Sequence, residues 1–208
     1  MSKRFFHIIE SVLNDPHGVQ MPEHLAENFN KCLSHISELM SSSAILCKNG
    51  KVYQALFLAI TAVEEATKAE IFCYRKIMCN DKGDNKPSKD CLKKHDIKHQ
   101  AAVNEEVLLI GQRVQDVIGK ELTEKIYKDF GKGKTREVRE GVLYFDVHKD
   151  SLALPSDHID KNLALAYILA CIEIIDDMLV GLTMNSFDLS KQLDDYFEAV
   201  RNLYLVNE

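Results

Sequence analysis

The chain has 208 residues, of which 46% are hydrophobic and 28% charged, with 9 Gly and a formal net charge of −6. That length and apolar content suit one domain with a sizeable core, and they exclude disorder and a β fold built on many tight turns. The acidic balance gives no global case for nucleic-acid binding. Charge is uneven, however: residues 82–100 carry six Lys against three Asp, residues 120–139 carry seven Lys/Arg against four Asp/Glu, and the rest is then −6 − 6 = −12. Two basic islands in an acidic chain hint at an anionic ligand; solvated connecting segments are the plainer reading. Six cysteines at 32, 47, 73, 79, 91 and 171 form no CxxC pair, so zinc knuckles and redox motifs are not expected, and most lie in apolar runs as reduced thiols do. Met1–Leu13 lacks the apolar stretch of a signal peptide, and no run approaches the ~18 apolar residues of a membrane span. The expected compartment is a reducing cytoplasm, with no membrane contact.

In chain order, Ser2–Leu13 reads as a short helix closed by Asn14-Asp15-Pro16, part of an N-terminal appendage over residues 1–20. Pro22 opens an amphipathic helix through Leu25, Phe29, Leu33, Ile36 and Met40, which Asn49-Gly50 stops. A central helix follows from about Val52 to Cys79. After a polar break over 80–87, Ser88 is placed to cap a helix running to about Ile118 and ending at Gly119, so that residues 22–119 hold the long core helices. Residues 120–155 read as a basic loop with a short helix over Leu122–Phe130, a flexible Gly131–Lys134, and an extended segment over 142–147 lying on the helices. Pro155-Ser156-Asp157 starts a further helix, and Asp188–Leu205 forms the last, within C-terminal helices over 156–205. The fold class is therefore all-α: a single helical domain, a bundle of about five long helices.

The central helix carries the anomaly. At about 100° per residue, Glu65 shares a stripe with Leu58, Ala62 and Ala69, and Glu64 shares one with Phe57, Ile60 and Ile71. Both carboxylates leave faces that read as buried, and a buried carboxylate needs partners. Lys68 is i,i+4 from Glu64 and i,i+3 from Glu65, which is also what a plain helical salt bridge looks like. His95 and His99 are i,i+4 on the next helix, a spacing that serves a metal site completed by Glu65, a general base beside Lys98 as anion clamp, or merely a solvated polar face. Arg136 and Arg139 on a Gly-flanked segment suit phosphate, or plain solvation. Tyr144 and Asp146 alternate with Leu143 and Phe145, so they point to one side of an extended segment. The sequence holds no P-loop, GxGxxG, GxSxG or HExxH.

These blocks, taken together and in order, resemble a known family. Gly50 with Lys51–Ala69, including the run Glu64-Glu65-Ala66-Thr67-Lys68-Ala69, is similar to the signature helix of the AbiV abortive-infection proteins. His95-Asp96-Ile97-Lys98 is similar to the family's downstream H-x-x-K, and Arg136/Arg139 with Gly141–Asp146 to its R-x-x-G-L-Y-V-D. The matching blocks span about residues 44–147. The resemblance implies a HEPN-like helical bundle, phage defence in the cytoplasm, and often a homodimer. It implies action on RNA or the translation machinery, with RNA, a ribosome or translation component, or a phage protein as partner. The superfamily's catalytic Arg, four to six residues, then His is replaced here by Lys94-x4-His99. Under the resemblance the four blocks become one polar pocket: Glu64, Glu65, His95 and His99 as catalytic candidates, with Lys68, Lys98, Arg136, Arg139, Tyr144 and Asp146 as anion- or RNA-binding candidates. No cofactor is expected; His95, His99 and Glu65 remain the alternative metal set, and a non-enzymatic binding module with a purely structural polar cluster remains the other reading.

Overall fold

The structure is a computed structural model and describes residues 3–78, 87–103, 111–148 and 151–207. Its elements are α1 (Lys3–Leu13), α2 (Leu25–Lys48), α3 (Val52–Met78), a 3-10 turn (Cys91–Lys93), α4 (His95–Ala102), α5 (Gln112–Ile118), α6 (Lys120–Gly131), α7 (Thr135–Gly141), β1 (Asp146–His148), β2 (Ser151–Ala153), α8 (Pro155–His158), α9 (Lys161–Leu179) and α10 (Met184–Asn207). Among the described residues the architecture is all-α apart from one antiparallel ribbon, in which Val147 faces Leu152 across the pair.

The long helices α2, α3, α9 and α10 form a four-membered bundle: α3 packs on α2 and α9, and α10 closes the ring against α2 and α9. The sequence makes this packing possible. Ala55, Ala59, Ala62 and Ala66 are all fully buried on α3, and their small side chains let neighbouring helices approach closely on more than one side. Phe29, Ile36 and Met40 of α2, Leu56 and Ile60 of α3, Leu165 and Ile168 of α9, and Phe197 of α10 fill the space between. Each such side chain contributes about 1.5–3 kcal/mol by leaving water. α9 is nearly apolar all round, and it is buried all round to match. No helix among the described residues is long and apolar enough to cross a membrane.

Several elements depart from the sequence reading, each for a local reason. The expected helix over 88–118 is broken: Asp90, not Ser88, caps a 3-10 turn by accepting from Leu92 N at 2.9 Å, and α4 then starts afresh at His95. Val103 leaves α4 in extended geometry, and α5 resumes the helix up to Gly119 at φ 81°. Among the described residues, four helices, α2, α3, α9 and α10, run to 19 residues or more. α2 starts at Leu25 rather than Pro22, because Met21 N donates to Phe72 O at 3.0 Å and ties the preceding chain to α3. Residues 135–141, expected as loop, are helical. The segment expected to lie extended over 142–147 instead turns, then forms one strand of the ribbon; Val142 is buried while Phe145, Val147 and Leu152 are exposed. Asp160 caps α9 by accepting from Leu163 N, which splits the helix expected from Pro155. The polar break over 80–86, residues 104–110 and Cys79 lie outside the described residues.

Residues 12–19 are fastened to the body by a knot centred on one side chain. Arg75 of α3, 2% exposed, donates to Val12 O from Nε (3.0 Å) and Nη2 (2.6 Å), to Val19 O at 3.1 Å, and to both Asp90 oxygens at 2.7 and 3.3 Å. Asp90 also accepts from Val19 N, and Asp15 accepts from Cys91 N, so every charge in the knot is paired. An Arg75→Leu variant strands the buried Asp90 carboxylate. Urea unfolding is expected to show a loss of about 3–5 kcal/mol, with Arg75→Leu/Asp90→Leu recovering part of it; an unchanged midpoint for Arg75→Leu contradicts this account.

Candidate functional site

Glu64 is the hub. It leaves α3 at 2% exposure, toward the flank on which α4 and α7 pack. Its Oε2 accepts from His95 Nδ1 at 2.8 Å and Lys98 Nζ at 2.5 Å, and its Oε1 accepts from His99 Nε2 at 2.8 Å. Arg139 of α7 brings Nε to 3.5 Å from Oε1. The i, i+3, i+4 spacing of His95, Lys98 and His99 sets all three on one face of α4, which is what lets a single carboxylate collect them. One anion thus faces two permanent cations and two imidazoles.

α7 is placed by the turn before it. Gly133 takes φ 70°, and a Cβ there would sit 2.9 Å from the Gln100 side chain. The lack of a side chain at 133 lets the turn approach α4 closely. Thr135, at the start of α7, meets His99 Nδ1 at 2.7 Å, and the His99 ring sits edge-on to Phe130 at 5.9 Å. One turn on, Arg139 lies 4.7 Å over the Phe57 ring and donates to Thr61 Oγ1 at 3.4 Å. Neither Thr135 nor Thr61 stood out in the sequence, because a threonine on a helix has many unremarkable uses.

Protonation follows from the geometry. Burial favours the neutral form of Glu64, but the His99 and Lys98 hydrogen bonds and the Lys98 charge outweigh it and hold the carboxyl at about 2. Burial also pulls the His99 imidazole below its usual range, against the pull of Glu64. A neutral His99 that donates through Nε2 to a carboxylate must accept at Nδ1, so Thr135 Oγ1 donates there. His95 Nδ1 likewise donates to Glu64, leaving Nε2 as the ring's remaining nitrogen; this side chain is 38% exposed.

The expected pocket is only partly assembled. Glu64, His95, Lys98, His99 and Arg139 converge. Glu65 does not: one position further round the helix, it pairs with Lys68 at 2.5 Å and both are half-buried. Lys68 is therefore not part of the Glu64 network. Arg136 is exposed and pairs with Glu140 on its own helix at 2.9 Å. Tyr144 and Asp146 stand beyond Arg139, lining with it a cleft of about 630 Å³ that Glu137, Glu140, Gly141 and His158 complete. The metal set of His95, His99 and Glu65 does not form, since both histidines turn to Glu64 and Glu65 lies elsewhere. Among the described residues, the ligand atoms that converge are those of Asp15, Asp90 and Cys91, already engaged by Arg75 and backbone amides.

The sign of the pH dependence follows. Glu64 titrates near 2 when folded against 4.5 ordinarily, so its contribution is present above about pH 4.5 and is lost as pH falls through about 2. Neutral His99 adds a loss in the same direction below 6.5. These two contributions are lost as pH falls below 6.5, while Glu70 and Asp177, whose carboxyls burial pushes up to about 7, act in the opposite sense, so the charged hub is read from the difference between parent and Glu64→Gln in urea unfolding. Glu64→Gln should cost about 3 kcal/mol at neutral pH and flatten the acid limb; an acid limb identical to the parent's refutes the charged hub.

The HEPN_AbiV family model, described as AbiV, matches residues 24–175, which is 152 of 208 residues and includes Glu64, α4, α7 and the cleft. Neither a curated protein nor a solved structure matches. The match runs from α2 into α9 across every element that meets at Glu64, and on that basis the chain belongs to the AbiV family of HEPN-fold abortive-infection proteins.

Proposed function

We propose that this phage-defence protein acts on RNA, as a toxin-like ribonuclease centred on His95. The observation that carries the reading is the Glu64–His95 pair: a carboxylate held ionised by Lys98 fixes His95 by its Nδ1–H, at a partly exposed position beside Arg139. That is how an imidazole is set up as a general base. In such a reaction His95 Nε2 takes the proton of a ribose 2′-hydroxyl, the 2′-oxygen bonds to phosphorus, and the P–O5′ bond breaks with water protonating the leaving oxygen. Arg139 offsets charge on the phosphate. His99 and Glu64 are too buried to touch RNA and serve as positioning residues; Lys98 keeps Glu64 charged rather than clamping phosphate. A cytoplasmic homodimer belongs to the same proposal and rests on the family resemblance.

A second reading has a specific observation behind it. Glu64, Lys98 and His99 are all buried, as in a purely structural network that displays a surface to a translation component or a phage protein. One experiment separates the two. His95→Ala removes the most exposed of the four groups around Glu64, so the variant is expected to keep its circular dichroism spectrum and melt cooperatively. The ribonuclease reading expects it to lose phage protection in plaque assays and to lose cleavage of RNA by the purified protein, at least 100-fold. A folded His95→Ala protein with full protection, or a parent protein that captures a partner without cutting RNA, overturns the reading.

A further inference from the structure

The cleft beside Arg139 has a composition that the phosphate role alone does not explain. Its volume of about 630 Å³ suits one nucleotide-sized ligand. Of its charged lining, Arg139 is the permanent cation, while Glu137, Glu140 and Asp146 are carboxylates. Glu140 is already bound to Arg136, leaving Glu137 and Asp146 to face a ligand. A track for a phosphate backbone would be lined the other way round. Carboxylates suit the donor edge of a nucleobase instead, where an exocyclic amine presents hydrogens to an acceptor.

Two further features fit the same occupant. Tyr144 is 60% exposed on the wall of the cleft, a ring with no partner ring among the described residues and so free to take a base face. Asp146 is held in place by His158, whose Nε2 lies 3.4 Å from Oδ2. The His158 ring in turn packs on Gly141, where an added Cβ would meet its Cγ at 3.4 Å. The geometry points to a base-reading pocket for single-stranded RNA: one base stacks on Tyr144 with its amino edge toward Asp146 and Glu137, and the phosphate of that nucleotide sits at Arg139. Bases that carry an amino group, adenine, cytosine and guanine, are preferred over uracil, which has no exocyclic amine and flanks its one ring N–H with two carbonyls that repel the carboxylates.

This rests on the RNA reading above but fails separately from it. The full-length protein is titrated with short homopolymeric ribo-oligonucleotides of A, C and U by fluorescence anisotropy, alongside Tyr144→Ala and Asp146→Ala. Both positions are exposed, and unchanged melting temperatures confirm folding. Tyr144→Ala is expected to weaken binding of all three about tenfold or more. Asp146→Ala is expected to reduce the preference for A and C over U at least fivefold, with U binding little changed. If the parent binds RNA and both variants match it, the base pocket is wrong and the RNA reading stands. If the parent binds none of the three, both fall.

Discussion

The Glu64 carboxylate is the constraint on which the arrangement of this molecule depends. A charge taken out of water is tolerated only where enough opposite charge and enough donors come to meet it. α4 supplies three donors through a single face, and α7 supplies a guanidinium. Neither helix has the length to stand alone: α4 has eight residues and α7 seven. Their positions are set by what they bring to Glu64, while Ala101, Ala102 and Val142 give them apolar footing. The four long helices provide the scaffold, and the carboxylate decides how the short ones dress it.

The same constraint divides labour between depth and surface. At depth, His99 is locked between Glu64 and Thr135 with each nitrogen satisfied, so it is a rigid part. Nearer the surface, His95 and Arg139 each spend one side on the hub and keep another toward solvent or the cleft. A site built this way has its geometry fixed by buried groups and its chemistry offered by half-buried ones.

Much of this was legible in the sequence, and what was missed has physical causes. The all-α class, the Asn49-Gly50 stop and the importance of a carboxylate pair in an apolar helix all follow from periodicity and desolvation. Choosing between Glu64 and Glu65 does not, because adjacent positions differ by about 100° and each lay on an apolar stripe. The tie is broken by α4, whose position depends on Asp90 being drawn to Arg75 some fifteen residues away, a tertiary contact with no local signature. Arg136 and Arg139 were equally alike in sequence; once residues 135–141 close into a helix, Arg139 reaches Glu64 while Arg136, one turn nearer the start of that helix, stays at the surface with Glu140. Ser151–Ala153 was not read as a strand because three residues carry too little pattern to be seen without their partner.

The Arg75 knot bears on how the amino-terminal segment can vary. Arg75 holds Val12 and Val19 by their carbonyl oxygens, a group that every residue possesses. Identity between them is constrained at Asp15, which receives the Cys91 amide, and at Gly18, where a Cβ would stand 2.6 Å from the guanidinium carbon. Val12 and Leu13 also pack with Ile71 and Leu92, and the spacing is fixed as well: one residue added or removed carries a carbonyl out of reach of a fixed guanidinium. The segment is therefore constrained in length as well as in these few side chains, because its hold on the body runs through main-chain carbonyls at a set separation.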